Sequence, residues 1–149
     1  RKARKVADAV RQIESRERRD ARDNEVATEL GMSLEEYHQT LQDAGGYLVM
    51  SFDDMGVDDE AVASQLSDRS PGPDDGVQND DFKKSLSEAI VSLPDRERLV
   101  MTLYYDEELN LREIGAVIGV SESRVSQIHS QALIRLQARL GRWLNPDGN

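Results

Sequence analysis

Residue types that serve catalysis, metal binding or membrane insertion are scarce in this chain of 149 residues. It has no cysteine, which excludes disulfides, thiolate metal sites and thiol nucleophiles. Its two histidines, His38 and His129, lie far apart and neither has a partner at ligand spacing, so we expect no metal site. No apolar run approaches the roughly 20 residues of a membrane span, and no signal peptide is visible. These features predict no metal or catalytic-triad chemistry, no cofactor and no insertion into membranes.

The formal net charge of −10 conceals segments of different sign. Residues 1–22 hold nine basic and four acidic side chains, whereas residues 49–81 hold one basic and ten acidic ones. Residues 82–149 are neutral overall, but the stretch 112–142 has five arginines against two glutamates. A chain with basic ends and an acidic middle can contact a polyanion at two places while its middle avoids one. The same charges also fit ordinary solvated surfaces, so the motifs must decide between the two interpretations.

The predicted fold class is all-α, because apolar residues recur at helical spacing and no strand alternation of useful length occurs. We expect two small helical domains, with three helices in residues 1–48 and four in residues 82–149. Residues 49–81 contain prolines, glycines and many aspartates, which predicts an acidic, extended linker between them. The first helix carries one apolar stripe, formed by Val6, Val10 and Ile13. The third helix should stop after about Asp43, where Gly45 and Gly46 follow.

Residues 111–130, LREIGAVIGVSESRVSQIHS, have the pattern of a helix-turn-helix. Asn110 and Glu113 have the spacing of a capping box at the start of the first helix. Gly115 must be small where the two helices cross, and Gly119 must tolerate the turn. Five apolar residues should lock the crossing angle: Ile114, Ile118, Val120, Val125 and Ile128. Such a unit lays its second helix in the major groove of DNA, although an ordinary helical hairpin shares much of the pattern.

Polar residues of the second helix strengthen the DNA-binding interpretation. Arg124, Gln127 and Gln131 are spaced three and four apart and so share one face. Arginine can bind guanine and glutamine can bind adenine through paired hydrogen bonds. Other candidates for DNA contacts are Arg112, Glu122, Ser123, Ser126 and Ser130. A later ridge of Arg135, Arg139 and Arg142 could reach phosphates or stay in water.

A similar pattern occurs 88 positions earlier in the chain, where residues 26–33 align with residues 114–121. Both copies have the same order of apolar, small and glycine positions. The second helix of the earlier copy carries Glu35 and Glu36 but no arginine or lysine. Repulsion from phosphates should therefore keep that helix off a duplex, and the basic first helix would have to make any DNA contact there.

The sequence resembles the C-terminal half of a bacterial RNA polymerase sigma factor of the flagellar or motility class. Residues 93–140 resemble region four of that family, including the LYY block and the ESRVSQ block. Residues 1–31 resemble region three, with KARKVA near the start and EVA later. This resemblance implies a cytoplasmic protein that is not an enzyme and that directs polymerase to motility-type promoters by recognising the upstream promoter element.

The resemblance also implies partners for each segment. Region three would contact promoter DNA through Arg1, Lys2, Arg4 and Lys5. The acidic linker would enter the polymerase cleft, and region four would pack on the flap of the β subunit and be held by an anti-sigma protein. Apolar side chains that could make those protein contacts are Leu99, Val100, Leu103 and Tyr104, although simple core packing explains them as well.

Two departures from the family pattern change the expected function. Glu122 stands where housekeeping sigma factors have a basic residue, so the preferred promoter should differ from theirs. Region two, which melts promoters, has no counterpart here, so we do not expect this chain to start transcription alone. The alternatives are a protein-interaction module bound mainly by an anti-sigma factor or the polymerase flap and, more weakly supported, another helix-turn-helix regulator.

Overall fold

The computed structural model of the protein describes residues 2–54 and 77–140. Within these residues, seven α-helices and a π-helical segment form the regular structure and no strand occurs, which confirms the predicted all-α fold. The helices are α1 (Lys2–Glu17), α2 (Asp23–Glu29), α3 (Leu34–Asp54), α4 (Val77–Val91), α5 (Asp95–Met101), α6 (Leu111–Ile118) and α7 (Glu122–Arg139). The π-helical segment, Thr102–Asp106, continues directly from α5.

The first helix is amphipathic, as its stripe predicted. Val6, Val10 and Ile13 are almost completely buried, whereas Arg4 and Arg11 are exposed. Burying three such side chains is worth about 1.5–3 kcal/mol each, which fixes α1 against the rest of the molecule. The buried stripe faces both its own domain and α7, so α1 already joins the two halves of the chain.

The predicted end of α3 is wrong. The helix continues through Gly45 and Gly46 to Asp54 instead of stopping near Asp43. A glycine inside a helix costs about 1 kcal/mol, but here Gly45 lies against α7 and Leu48 beyond it is only 1% exposed. Packing of the extra turns therefore outweighs the local preference of the two glycines.

The ends of the predicted linker are also helical, not extended. Residues 49–54 belong to α3, and α4 begins at residue 77, before the predicted start at residue 82. Extending a helix that already exists costs far less than starting one, because each added residue brings its own hydrogen bond. The remaining linker, residues 55–76, and its expected path into the polymerase cleft lie outside the described residues.

Helix α7 occupies the centre of the molecule. It contacts α1 and α3 from the first half of the chain and α4, α5 and α6 from the second half. The larger core contains residues of both halves, among them Tyr37 and Leu41 of α3 and Leu133 and Leu136 of α7. The two predicted domains therefore share one hydrophobic core in this arrangement.

Candidate nucleic-acid interface

The helix-turn-helix begins with the predicted capping box. The Asn110 side-chain oxygen accepts a hydrogen bond from the Glu113 amide at 2.8 Å, and the Glu113 carboxylate accepts one from the Asn110 amide at 2.9 Å. These bonds satisfy two of the amide donors that every helix leaves free at its start. The prediction at this position is confirmed, and α6 has a fixed first turn.

The turn between α6 and α7 depends on its two glycines. A Cβ atom on Gly115 would lie 2.6 Å from the backbone oxygen of Val120, so no larger residue fits without moving the backbone. Gly119 has a φ of +81°, in the left-handed region that glycine adopts most easily. Ser121 then caps α7, because its hydroxyl oxygen accepts from the Arg124 amide at 3.1 Å. Both predicted glycine roles are confirmed.

A small apolar cluster fixes the two helices against each other. Ile114, Val125 and Ile128 are buried together with Val100, and Ile118 packs at the edge. The predicted locking role of Val120 is wrong, since 38% of that residue is exposed. Its contribution is the backbone oxygen that approaches Gly115, which does not depend on the side chain.

The predicted DNA-reading residues fall into three groups by exposure. Those open to solvent are Arg112, Glu122 and Ser123. Those that are half-buried are Arg124, Ser126 and Gln127. Those that are buried are Ser130 and Gln131. Access to α7 is thus greatest at its N-terminal end and disappears two turns later.

Helix α3 covers the inaccessible part of α7. The Tyr37 hydroxyl donates a hydrogen bond to the Gln131 side-chain oxygen, and burial raises the pKa of Tyr37. Gly45 lies so close that a Cβ on it would be 3.2 Å from the Ser130 hydroxyl oxygen. Gln42 donates to Ser123 at 3.3 Å. In this arrangement Gln131 is therefore covered by α3, whereas Arg124 and Gln127, on the same face of α7, are only half-buried.

Arg124 and Gln127 stay together at the edge of this contact. The Arg124 guanidinium donates to the Gln127 side-chain oxygen at 3.3 Å and lies 4.0 Å from the Asp23 carboxylate. Its side chain is 31% exposed. These bonds are long, so both side chains can exchange their present partners for others at little cost.

Two arginines of the predicted ridge are held by acids instead of facing phosphates or water. Arg135 is 2% exposed and binds both oxygens of Glu97, with N–O distances of 3.0 and 3.1 Å. It also donates to Glu14 of α1. Arg139 binds Glu14 too, and reaches Asp20 at 3.0 Å. We call these five residues the arginine clamp. The third member of the ridge, Arg142, lies outside the described residues.

Burial of the clamp disfavours the charged forms of Arg135 and Glu97. Burial opposes charge on Arg135, but Glu97 and Glu14 outweigh it and raise the pKa of the guanidinium. Burial raises the pKa of the Glu97 carboxyl, and Arg135 only partly offsets this. A buried charged group that loses its partner is strongly destabilising. The clamp therefore ties α1 and the α1–α2 connection to α5 and α7.

His129 is buried against the tyrosines of the π-helical segment. It is 3% exposed, contacts the Tyr105 hydroxyl at 3.1 Å and lies against the Tyr104 ring. Burial lowers the pKa of His129 to about 4. In the described part of the chain, no group of three or more His, Asp or Glu side chains could hold a metal ion.

The residues predicted to contact DNA from α1, or to contact a protein partner, also differ in their exposure. Arg4 and Lys5 are exposed on α1, Lys2 begins that helix, and Arg1 lies outside the described residues. Of the apolar candidates for a protein partner, Leu99 is 47% exposed. Leu103 and Tyr104 are half-buried. Val100 is completely buried in the small cluster, which agrees with the core-packing alternative for this residue.

Comparison with known families agrees with this geometry. Residues 1–77 match the family described as Sigma-70 region 3, and residues 89–138 match Sigma-70, region 4. The chain belongs to the sigma-70 family. The helix-turn-helix lies within the region 4 match, and α1 to α3 lie within the region 3 match. The predicted resemblance to sigma factors is thereby confirmed.

Several sigma-70 relatives are similar over nearly the whole chain. RNA polymerase sigma factor FliA of Pseudomonas aeruginosa is 53% identical over 144 residues, which cover 96% of this chain and 58% of that protein. FliA of Salmonella typhimurium is 44% identical, covering 95% and 60%. RNA polymerase sigma-D factor of Bacillus subtilis is 36% identical, covering 91% and 55%. The chain thus spans less than two thirds of the length of these curated relatives.

Solved structures of sigma-70 proteins are also similar. A flagellar sigma/anti-sigma complex, Sigma-28/FlgM, contains a chain that is 31% identical, with a TM-score of 0.48 and coverage of 97% of this chain and 58% of that one. A second Sigma-28(FliA)/FlgM complex gives 32% identity, a TM-score of 0.49 and coverage of 93% and 59%.

Among the described residues, no helix is both long and apolar enough to cross a bilayer.

Proposed function

We propose that this chain is the part of a flagellar-class sigma factor that recognises the upstream promoter element. The observation that carries the proposal is the α6–α7 unit, whose capping box, tight glycine turn and apolar cluster have the geometry of a DNA-reading helix-turn-helix. Its first contacts would come from the exposed end of α7 and from Arg112 at the start of α6. Such a role is binding, not catalysis.

Promoter recognition would require α3 to move away from α7. Arg124 and Gln127 need only rotate, because they are half-buried and weakly bonded. Ser130 and Gln131 become accessible only when Tyr37 and Gly45 withdraw. We call the present arrangement closed and the separated one open. DNA that binds only the open form shifts the population toward it by its own binding free energy.

The remaining segments keep their proposed roles. We assign residues 1–48 to region three, 49–81 to the linker and 82–149 to region four. The two ends of this linker are helical, and the region 3 match includes most of it. In the open form, Arg4 and Lys5 on α1 would contact DNA phosphates, together with Arg1 and Lys2. The acidic linker would enter the polymerase cleft, and core polymerase would position both regions on the promoter. We place the protein in the cytoplasm, where transcription occurs.

A second proposed function is binding of protein partners by region four. Leu99 on α5 favours it, because 47% of this large apolar residue remains in solvent. The partners would be the β flap of core polymerase and an anti-sigma protein. Leu103 and Tyr104 would line the edge of the contact. Loss of co-purification with both partners in a Leu99→Asp variant would support this role, and unchanged co-purification would count against it.

Holoenzyme assembled with the full-length sigma factor offers the direct test of promoter recognition. We expect Gln127→Ala to weaken binding to a motility-type promoter about tenfold, because one bidentate base contact is worth about 1–3 kcal/mol. Gln39→Ala, on the exposed side of α3, serves as the matched control and should not change affinity. Equal affinity of wild-type holoenzyme for the promoter and for a scrambled duplex at moderate salt would refute sequence-specific recognition.

A further inference from the structure

A cavity of about 460 Å³ lies where the two halves of the chain meet, beside the face of α7 that we assign to DNA. Its walls come from the α1–α2 connection, the start of α5 and α7. The residues around it are Arg19, Asp20, Ala21, Arg22, Asp23, Pro94, Arg96, Glu97, Arg124, Gln127, Ile128, Gln131 and Arg135. This volume lies in the range of small-molecule sites in proteins.

The residues that line the cavity include more bases than acids, and two of its arginines have no ion pair among the described residues. The cavity has five arginines against three acids. Arg19 is bound by Glu25 and Arg135 by the clamp. Arg22 and Arg96 are exposed, and among the described residues neither side chain has an ion pair. Two exposed guanidinium groups without an ion pair can bind a phosphate with paired, charge-assisted hydrogen bonds.

The buried side of the cavity carries an unused hydrogen-bond donor. Gln131 is 3% exposed, and its side-chain oxygen accepts from Tyr37. Its amide nitrogen has no hydrogen-bond partner anywhere in residues 2–54 or 77–140. Leaving a buried polar group without a partner costs about 1–3 kcal/mol. A ligand that brings an acceptor to this nitrogen would remove that cost.

We propose that this cavity binds a phosphorylated small molecule of nucleotide size. The phosphate lies between Arg22 and Arg96 at the rim, and a carbonyl or ring-nitrogen acceptor of the ligand reaches the Gln131 amide on the buried side. Arginine at the rim selects for phosphate over uncharged ligands, and the cavity volume selects for a ligand larger than free phosphate.

Occupancy would stabilise the closed arrangement. The cavity exists only while the α1–α2 connection lies against α5 and α7, so a ligand bound there favours that form by mass action. Arg124, Gln127 and Gln131 line the cavity and are also proposed to read DNA. Ligand and promoter should therefore exclude each other. Only this competition rests on the proposed function, whereas ligand binding can be measured without DNA.

Titration calorimetry of the chain at physiological salt tests the site, with ATP as the probe and inorganic phosphate as the size control. We expect ATP to bind at one site and to raise the melting temperature, and phosphate to bind at least about tenfold more weakly. The double variant Arg22→Gln/Arg96→Gln should lose about tenfold or more in ATP affinity. The control double variant Arg11→Gln/Arg98→Gln has the same change in net charge, on exposed residues outside the cavity, and should bind ATP like the wild type.

Three outcomes would overturn the proposal: no saturable ATP binding, equal loss of binding in the two double variants, or phosphate binding as tightly as ATP. Equal loss would show attraction to net charge only. Competition is tested separately, by adding ATP to a complex of the chain with a promoter duplex. If ATP binds the cavity but does not displace the promoter duplex, the proposed DNA-reading role of the cavity residues is contradicted and the ligand site itself is still supported.

Discussion

The two helix-turn-helix units of this chain have the same local geometry but different surroundings. The first unit comprises α2, the turn at Gly31 and α3, and the second comprises α6, the turn at Gly119 and α7. Both turn glycines have a positive φ, +70° and +81°. In both first helices a glutamate carboxylate accepts from the N-cap amide at 2.9 Å. Local signals 88 positions apart therefore produce the same turn twice.

The difference lies in what each second helix contacts. Helix α3 begins with acidic residues and keeps one side in solvent, whereas α7 is buried over most of its second half. The two second helices pack on each other, so the face that could read DNA is covered by the unit that should repel DNA. A turn motif therefore sets the angle between two helices and leaves open which face of the second helix stays accessible.

The largest expected effect comes from breaking the clamp that holds the units in their different surroundings. Glu14→Gln removes the carboxylate that both clamp arginines share. Because Arg135 is buried, we expect the free energy of unfolding to fall by about 3 kcal/mol. Urea denaturation measures the change, with Glu17→Gln, on the exposed side of α1, as the control. Equal stability of the two variants would contradict the account of the clamp.

A swap at one aligned position sharpens the comparison of the turns. Gly115 of the second unit aligns with Ala27 of the first, which is buried without strain. Gly115→Ala should cost about 2 kcal/mol, because the new methyl group meets the backbone oxygen of Val120. Ala27→Gly should cost about 1 kcal/mol, since it adds backbone freedom and removes one buried methyl group. Thermal unfolding compares the two variants. A lower melting temperature for Ala27→Gly than for Gly115→Ala would contradict the role of Gly115.

Neighbouring glycines in α3 allow the contact between the units to be loosened selectively. A Cβ on Gly45 would press on Ser130, whereas one on Gly46 would meet nothing within 4 Å. We expect Gly45→Gln to destabilise the closed arrangement by about 1–2 kcal/mol, and Gly46→Gln to stabilise the helix by several tenths of a kcal/mol. The melting temperatures should move in opposite directions. A shift of the same sign in both variants would show that α3 does not rest on α7 at Gly45.

The smallest expected effect is a pH dependence confined to the second unit. His129 aligns with Leu41, and both are buried. The folded pKa of His129 is about 4, below the ordinary value of 6.5, so the unfolded chain binds more protons between these values. Stability is therefore full above pH 6.5 and is lost as the pH falls, by about 1 kcal/mol between pH 6.5 and 5.5.

The variant His129→Leu copies the first unit and should lack this contribution. Urea denaturation of both proteins at several pH values gives the two slopes of stability against pH. Parallel slopes for the wild type and the variant would contradict the burial of a neutral His129.

Features set by near neighbours in sequence could be predicted. The capping box at Asn110, the left-handed turn at Gly119 and the stripe on α1 depend on residues within one or two helical turns. Burial of Gln131 and the continuation of α3 past Gly45 depend on segments more than 80 residues apart, which periodicity cannot pair.

One signal for the clamp was nevertheless present in the sequence. Glu14 follows Val10 by four residues and therefore extends the buried stripe of α1. A carboxylate on such a face needs a cationic partner. The sequence alone could not show that the partners are Arg135 and Arg139, because their spacing is equally compatible with contacts to DNA phosphates.

In the closed arrangement, α3 should keep DNA from binding α7. A reversible cross-link between α3 and α7 tests this directly. The chain has no cysteine, and a Cβ at position 45 would lie 3.2 Å from the Ser130 hydroxyl oxygen, so Gly45→Cys/Ser130→Cys should form a disulfide across α3 and α7. Affinity for a motility-type promoter duplex is then measured before and after reduction. We expect binding to be at least about tenfold weaker than in the reduced protein while the disulfide is intact, and to recover once the disulfide is reduced. Equal affinity of the oxidised and reduced forms would contradict this expectation.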